Sequence, residues 1–305
     1  MSSRTLTTLA HAKINWTLFV LGRRTDGFHE IRTLFQTITL HDRLTFTESD
    51  DERLTLACDD PSIPVDEKNL VLRAALALRE KYGVSKGARI HLEKRIPAEA
   101  GLGGGSSDAA VALLGLTHLW QIKTGREELT EIGARLGADV PFFFSGGTAL
   151  GRGLGTEITP LEDVSAEHLL IIKPRAKVST PEAYKALQRP ALTKHRSDII
   201  LSISRAEARI SDSLHAALHN DFEPVIFELY PEIARARTKL LEQGARGALL
   251  AGSGASVFGI FDSVEALRRA GRVLERESGW LVFTAAAMGR AAYLDALGEC
   301  AAVLQ

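Results

Sequence analysis

A stretch of closely spaced glycines lies between a predicted strand and a predicted helix. It reads Pro97-Ala98-Glu99-Ala100-Gly101-Leu102-Gly103-Gly104-Gly105-Ser106-Ser107, and an apolar, alanine- and leucine-rich segment follows to about Trp120. Glycines let a backbone approach an anion closely, and the first turn of a helix offers unpaired N–H groups and the positive end of its dipole. The pattern predicts a phosphate-binding loop. The alternative is a flexible turn in which a serine caps the helix.

Two charged residues and an amide are candidates for catalysis. Lys13 lies in a predicted strand of mostly apolar residues, so it lies either beside a partner or ligand or on a solvated face. Asn15 shares that face, because side chains alternate along a strand. Asp139 precedes Val140 and Pro141, so its carboxylate either projects into a cleft or caps a helix.

Two further segments have residue types suited to binding a nucleotide. Phe28 and His29 follow the predicted turn at residues 24–27, and an aromatic ring beside a histidine can stack on a base and contact its polar edge. Phe28 could instead belong to the core. Near the end of the chain, Gly252-Ser253-Gly254 would allow the backbone to approach bound phosphates, or would form a tight hairpin turn.

The order of predicted elements indicates two α/β units. Residues 12–20 and 31–47 are predicted to pair as strands, and the glycine loop lies between the strand at 88–96 and the helix that starts at Ser106. The first unit is expected to span residues 1–160. Residues 161–305 start with a strand at 168–172 and contain helices near 181–187, 196–209 and 223–243, the last interrupted at Pro231. These helices precede a strand–strand–helix–strand order typical of a ferredoxin-like sandwich.

Composition excludes several classes of protein. The 305 residues include 37 lysines and arginines and 38 aspartates and glutamates, so no general excess of positive charge would attract nucleic acid or an anionic membrane. Cys58 and Cys300 have no metal-binding or disulfide spacing, and reduced thiols are expected. No secretory signal and no apolar run of ~20 residues is found, so a cytoplasmic protein without a membrane segment is expected.

Three motifs, in this order, resemble the signature of the GHMP kinase superfamily: Ala10–Asn15, the glycine-serine loop and Leu250–Ser256. The segments Gly22–Glu30 and Ala138–Phe143 are similar to one branch, whose acceptor is a methylerythritol carrying a cytidine diphosphate group. The resemblance covers nearly the whole chain. It implies an α+β fold with an amino-terminal α/β domain, which contains a left-handed β-α-β crossover, and a ferredoxin-like carboxyl-terminal domain. The active site would lie between the two domains.

The resemblance also implies roles for individual residues at the reacting end. Asp139 would accept or orient the proton of the substrate hydroxyl, and Lys13 would stabilise charge on the transferred phosphoryl group. Asn15 would bind the erythritol part. Residues 97–107 would bind ATP, and the Ser107 hydroxyl would reach the β- and γ-phosphates or Mg²⁺, for which no protein carboxylate is evident. Asp108 is expected to play a structural part in the first turn of the helix.

At the base end, Phe28 and His29 would grip cytosine, although the branch usually has tyrosine where this chain has Phe28. Thr180, Pro181 and Tyr184 would complete the cytidine site from the second domain.

The function expected from these features is an ATP- and Mg²⁺-dependent kinase of isoprenoid precursor synthesis, acting on a small molecule as a monomer or homodimer. One alternative is a kinase of another small alcohol, such as homoserine or a mevalonate derivative. A second alternative is a catalytically silent nucleotide-binding protein.

Overall fold

Two long antiparallel strands form the centre of the first sheet. The structure is a computed structural model that describes residues 4–49, 51–187 and 217–304, over which elements are numbered. The strands are β1 (Thr5–Arg23), β2 (His29–Ser49), β3 (Leu54–Cys58), β4 (Gly87–Glu93), β5 (Thr148–Gly153), β6 (Glu157–Pro160), β7 (Leu169–Lys173), β8 (His219–Asn220), β9 (Gly247–Leu250), β10 (Val257–Ile260) and β11 (Leu281–Ala285). The first sheet has the order β3-β4-β2-β1-β8, and β5 pairs with both β2 and β6. The predicted pairing of the first two strands is confirmed.

Some of the helices cover one side of the first sheet, and the others belong to the second unit. They are α1 (Leu70–Tyr82), α2 (Gly104–Trp120), α3 (Arg126–Leu136), α4 (Thr180–Leu187), α5 (Glu223–Leu229), α6 (Pro231–Glu242), α7 (Val264–Leu274) and α8 (Arg290–Leu297), with 3₁₀ helices at Val140–Phe144 and Gly298–Leu304. The predicted interruption at Pro231 is confirmed, because proline lacks an N–H and is favoured at the start of a helix. The helix predicted at 196–209 lies outside the described residues.

The strand β3 was missed by the sequence analysis, and it changes the topology. It pairs in parallel with β4, and α1 forms the connection between them. A strand of five residues has too few alternations to stand out in the sequence, and its pairing depends on residues about thirty positions away.

The second unit has the predicted ferredoxin-like arrangement. Its sheet has the order β11-β7-β10-β9 with every pair antiparallel, and α6 and α7 occupy the two crossover positions. Apolar residues of α6 and α7 pack on one face of the sheet.

The predicted division at residue 160 does not hold for the end of the chain. Tyr293, Leu297 and Cys300 are buried in the same core as α2, so α8 and the last 3₁₀ helix pack on the first unit. The Tyr293 hydroxyl donates a hydrogen bond of 2.5 Å to the Phe143 carbonyl oxygen. α8 and the last 3₁₀ helix pack where their apolar side chains are buried, although they follow the second unit in the chain. Cys58 and Cys300 are both free, as expected.

Candidate active site

A cavity of about 1220 Å³ lies between the two units. Its walls include parts of all three motifs found in the sequence: Lys13 and Asn15 of β1, the glycine loop, and Gly252 and Ser253 between β9 and β10. Residues of α4 close the far end.

The glycine loop is held from both sides by backbone hydrogen bonds. The Lys13 N–H donates to the Leu102 carbonyl (2.9 Å), and the Ser256 N–H donates to the Ala100 carbonyl (3.1 Å). Gly101 has φ +75°, and a Cβ on it would lie 2.0 Å from the Ala251 carbonyl oxygen. The backbones of the loop and the β9–β10 hairpin therefore approach more closely than any side chain at Gly101 would allow. One of the two interpretations of Gly252–Gly254, a hairpin turn, is confirmed by the antiparallel pairing of β9 and β10, and this turn contacts the loop as well.

The helix after the loop begins earlier than predicted. α2 starts at Gly104, with Gly103 at φ +69° in the N-cap position and without a side-chain cap. The expectation that a serine caps this helix is wrong. A Cβ on Gly103 would lie 2.9 Å from Lys13 Cγ, so the entry to the helix packs directly on the lysine.

Lys13 and Asp139 face one another in the cavity. Lys13 Nζ lies 3.3 Å from Asp139 Oδ2 and donates a hydrogen bond of 2.9 Å to Asn15 Oδ1. The β1–β2 register shifts on both sides of residues 13–15, and such bulges re-aim side chains. Lys13 is 3% exposed, so the alternative of a solvated strand lysine is wrong. The Asp139 side chain forms no capping hydrogen bond with the following 3₁₀ helix and stays 31% exposed, so the capping alternative is also wrong.

The other end of the cavity contains aromatic residues from both units. The rings of His29 and Tyr184 stack with centroids 4.8 Å apart, and Tyr184 meets Phe222 edge to face. Phe28 is 62% exposed, so it does not belong to the core. Burial lowers the pKa of His29, and burial together with nearby Asp139 raises the pKa of Tyr184, so both rings are neutral near pH 7. The Thr180 hydroxyl lies 3.0 Å from that of Ser253, and Pro181 also lines the cavity.

Two of the predicted contacts are not in the cavity wall. Ser107 is fully buried and does not line the cavity, whereas Ser106 does. Ser107 lies in the first turn of α2, which starts at Gly104, and its hydroxyl is buried with no hydrogen-bond partner among the described residues. Gly254 is likewise absent from the cavity wall, although Gly252 and Ser253 are present.

A buried charge cluster beside the loop was missed by the sequence analysis. Lys94 forms ion pairs with Asp42 and Asp108, and Asp42 also accepts a hydrogen bond of 2.8 Å from the Ile96 N–H. Burial raises the pKa of Asp108 to about 8, because Lys94 offsets the cost of burying the charge only in part and the neighbouring Asp42 carboxylate adds to it. Asp108 lies beyond the first turn of α2, so the expectation of a dipole contact there is wrong. The residues forming the cluster lie on three separate segments and show no spacing in the sequence.

The described ranges contain no group of three or more histidine, cysteine, aspartate or glutamate side chains able to hold a metal ion. Nor is any helix in those ranges long and apolar enough to cross a membrane.

Family models match both units of the chain. The GHMP kinases N terminal domain matches residues 69–147, and the GHMP kinases C terminal domain matches residues 202–278. With the fold and the cavity described above, these matches define the class as a two-domain GHMP kinase.

Curated relatives show to which family of GHMP kinases the chain belongs. The chain is 44% identical over 264 residues to the 4-diphosphocytidyl-2-C-methyl-D-erythritol kinase of Pelotomaculum thermopropionicum, covering 87% of this chain and 92% of the relative. It is 40% identical to the enzyme of the same name from Geobacter metallireducens, covering 93% and 99%. The chain belongs to the family of 4-diphosphocytidyl-2-C-methyl-D-erythritol kinases, and is therefore an ATP-using kinase.

Solved structures agree with this assignment. A crystal structure of 4-(cytidine 5'-diphospho)-2C-methyl-D-erythritol kinase is 34% identical, has a TM-score of 0.75 and covers 93% of this chain and 100% of its own. A homoserine kinase from Cytophaga hutchinsonii has a TM-score of 0.71 at 20% identity, covering 93% of this chain and 95% of its own, and shows a shared fold only.

Proposed function

We propose that this protein transfers the γ-phosphoryl group of ATP to the 2-hydroxyl group of 4-diphosphocytidyl-2-C-methyl-D-erythritol, a step of non-mevalonate isoprenoid precursor synthesis. The observation that carries the proposal is the Lys13–Asp139 ion pair beside the glycine loop, in the same cavity as the stacked His29 and Tyr184 rings. The cavity thus combines a site for phosphoryl transfer with one for an aromatic base.

Asp139 is the residue that accepts or orients the proton of the acceptor hydroxyl group. Its carboxylate is partly exposed to the cavity and held by Lys13 Nζ. Phosphoryl transfer usually passes through a loose transition state, in which positioning matters more than strong basicity. Lys13 fixes the carboxylate and places a positive charge where the transferred group gains negative charge. Asn15, held by Thr33 at 2.7 Å, orients Lys13 and offers a polar contact to the erythritol part.

The triphosphate is held by backbone N–H groups of the glycine loop and of the first turn of α2. Four glycines bring this backbone close to the cavity, and the positive end of the helix dipole lies there. The hydroxyl that reaches the phosphates is assigned to Ser106, which lines the cavity, and no longer to Ser107. Mg²⁺ is expected to enter with ATP, held mainly by phosphate oxygens, and would neutralise part of their charge.

The cytosine ring is placed between the aromatic residues of the two units. Phe28 is exposed at the cavity edge and free to cover a base, while His29 can hydrogen-bond its polar edge. Tyr184 provides the opposite wall from α4, next to Thr180 and Pro181. Because the His29 and Tyr184 rings stack on each other, they must separate before a base can lie against the face of Tyr184.

The decisive experiment measures ADP release by the purified protein with Mg-ATP and a panel of acceptors: the cytidine diphosphate-linked methylerythritol, homoserine, mevalonate and phosphomevalonate. Turnover with the first acceptor alone is the expected result. Turnover with another alcohol would keep the mechanism and overturn the substrate. ATP binding without turnover on any acceptor would instead support a silent nucleotide-binding protein, which the intact Lys13–Asp139 pair argues against.

A cytoplasmic location and a monomeric or homodimeric state remain predictions. They can be checked by cell fractionation and by light scattering of the purified protein.

A further inference from the structure

We infer that Arg135 supplies a second cation to the transferred phosphoryl group, in addition to Lys13. The inference rests on the proposed function, since it assigns a residue to the same site. Arg135 lies in the last turn of α3 and lines the cavity together with its neighbours Ala134 and Ala138.

The basic residues of the cavity wall differ in whether an acidic partner already compensates their charge. Five lysines and arginines line the cavity: Lys13, Arg23, Lys94, Arg135 and Lys185. Lys13 is paired with Asp139, and Lys94 is shared by Asp42 and Asp108. Their charges are thus already largely compensated within the protein.

The remaining three cations lie at different ends of the cavity. Arg23 Nε lies 3.4 Å from the Gly27 carbonyl oxygen and lowers the pKa of His29, so it belongs to the base end. Lys185 is adjacent in sequence to Tyr184 at the same end. Arg135 alone among these three comes from α3, whose end leads directly into Asp139.

The position of Arg135 relative to the phosphate loop follows from the residues around it. A Cβ placed on Gly137 would lie 3.5 Å from Ser106 Oγ, so the end of α3 touches the first turn of α2. Arg135 is exposed to the cavity and forms no ion pair with any residue in the described ranges. Arg135 thus lines the same cavity as Ser106 and Asp139, and we expect its guanidinium group to reach phosphate oxygens bound beside them.

Arginine is well suited to this task. Its planar guanidinium group makes paired hydrogen bonds with phosphate oxygens, and it keeps its charge at any working pH. A bystander role is the alternative, in which Arg135 only complements the carboxyl-terminal dipole of α3. The two roles predict different effects of removing Arg135 on nucleotide affinity. A direct contact with the transferred phosphoryl group would weaken the binding of ATP but not of ADP, whereas a dipole role would not distinguish the two nucleotides.

The test compares Arg135→Gln with Arg126→Gln, which removes an exposed arginine from the other end of the same helix, outside the cavity wall. We expect Arg135→Gln to lower kcat on the order of 10²-fold, as for loss of one donor to a developing charge. Calorimetry should show weaker binding of non-hydrolysable ATP, unchanged binding of ADP, and unchanged KM for the acceptor. Arg126→Gln should behave like the unmodified protein.

Equal loss of ATP and ADP affinity, or an unchanged kcat, would overturn the inference. If Arg135→Gln fails to fold, Arg135→Lys takes its place: it keeps the charge but not the paired hydrogen bonds, so an intermediate kcat with unchanged ADP binding is expected, and full activity would overturn the paired contact. An unmodified protein without turnover on any acceptor would refute the proposed function. The ATP-against-ADP comparison would still decide whether Arg135 contacts the γ-phosphate.

Discussion

The two ends of the cavity are built in different ways. At the phosphate end, Lys13, Asn15 and Asp139 are already joined by hydrogen bonds and an ion pair, and backbone bonds clamp the glycine loop on both sides. At the base end, His29 and Tyr184 stack on each other, and Phe28 is exposed to solvent. The first end is preorganised for a ligand, whereas the second must rearrange to admit one.

This difference follows from what each end must do. Stabilising a transferring phosphoryl group requires charges fixed in advance, because reorganisation during the reaction would be costly. Binding a flat base requires an open ring face, and without the base the His29 and Tyr184 rings bury their faces on each other. Substitutions at the phosphate end should therefore act on kcat and ATP, and those at the base end on the acceptor.

The largest effect is expected for Asp139→Asn. The substitution keeps the shape of the side chain but removes the proton acceptor and the partner of Lys13, so kcat should fall by about 10²–10⁴-fold. ATP affinity should change little, because the role belongs to the transition state. Single-turnover kinetics and calorimetry measure the two quantities. Asp295→Asn, on the exposed side of α8, is the control. An unchanged kcat would remove Asp139 from the mechanism.

Gly101→Ala should disrupt the clamped loop. The new Cβ would meet the Ala251 carbonyl oxygen at a position where the backbone also has φ +75°, so either the loop or the hairpin must move. We expect KM for ATP to rise by about tenfold or more and the protein to lose about 1–3 kcal/mol of stability. Steady-state kinetics and urea unfolding test both expectations.

Gly125→Ala is the matched control for the loop, since nothing lies within 4 Å of its Cβ position and its φ is −115°. Equal effects of the two substitutions would mean that the loop is not held as tightly as its contacts indicate.

A smaller effect is expected for Tyr184→Ala at the base end. Loss of one stacking wall should raise KM for the acceptor by about tenfold, the equivalent of an aromatic contact of about 1.4 kcal/mol, with kcat less affected. Tyr184→Phe keeps the ring and should behave like the unmodified protein. His29→Ala should in addition reduce the preference for cytosine over uracil. A loss confined to kcat would contradict the separation of the two ends.

The smallest effect on catalysis is expected at the charge cluster of the phosphate end, where the prediction concerns stability. The pKa of Asp108 is raised to about 8 by burial, so the folded protein holds a proton that the unfolded chain releases near its ordinary carboxyl pKa. The stabilisation that this proton gives the folded protein is complete below the pKa that the Asp108 carboxyl has in the unfolded chain. It is lost as the pH rises through the pKa of Asp108 in the folded protein. Asp108→Asn cannot titrate, so its Tm should fall less than that of the unmodified protein between about pH 5 and about pH 9.

Thermal unfolding across that range, followed by circular dichroism, checks the sign. Parallel pH profiles for the two proteins would show that Asp108 is ionised in the folded state throughout.

Much of the phosphate end, and some local features of the second unit, could be predicted from the sequence. The glycine loop, the paired first strands and the break at Pro231 depend on local preferences of glycine, β-branched residues and proline, which act over a few positions. The family motifs then brought Lys13 and Asp139 into one site, a pairing that local patterns leave open.

The tertiary structure decided the contacts between distant segments. The pairing of β3 with β4, the Lys94–Asp42–Asp108 cluster and the return of α8 to the first core all join residues far apart in the chain. Ser107 and Ser106 differ by one position, yet one is buried and the other lines the cavity, because the helix starts at Gly104. Sequence determined which segments become loop, strand and helix. The tertiary structure decided which side chains reach the cavity, because this depends on burial and on packing against residues that are remote in sequence.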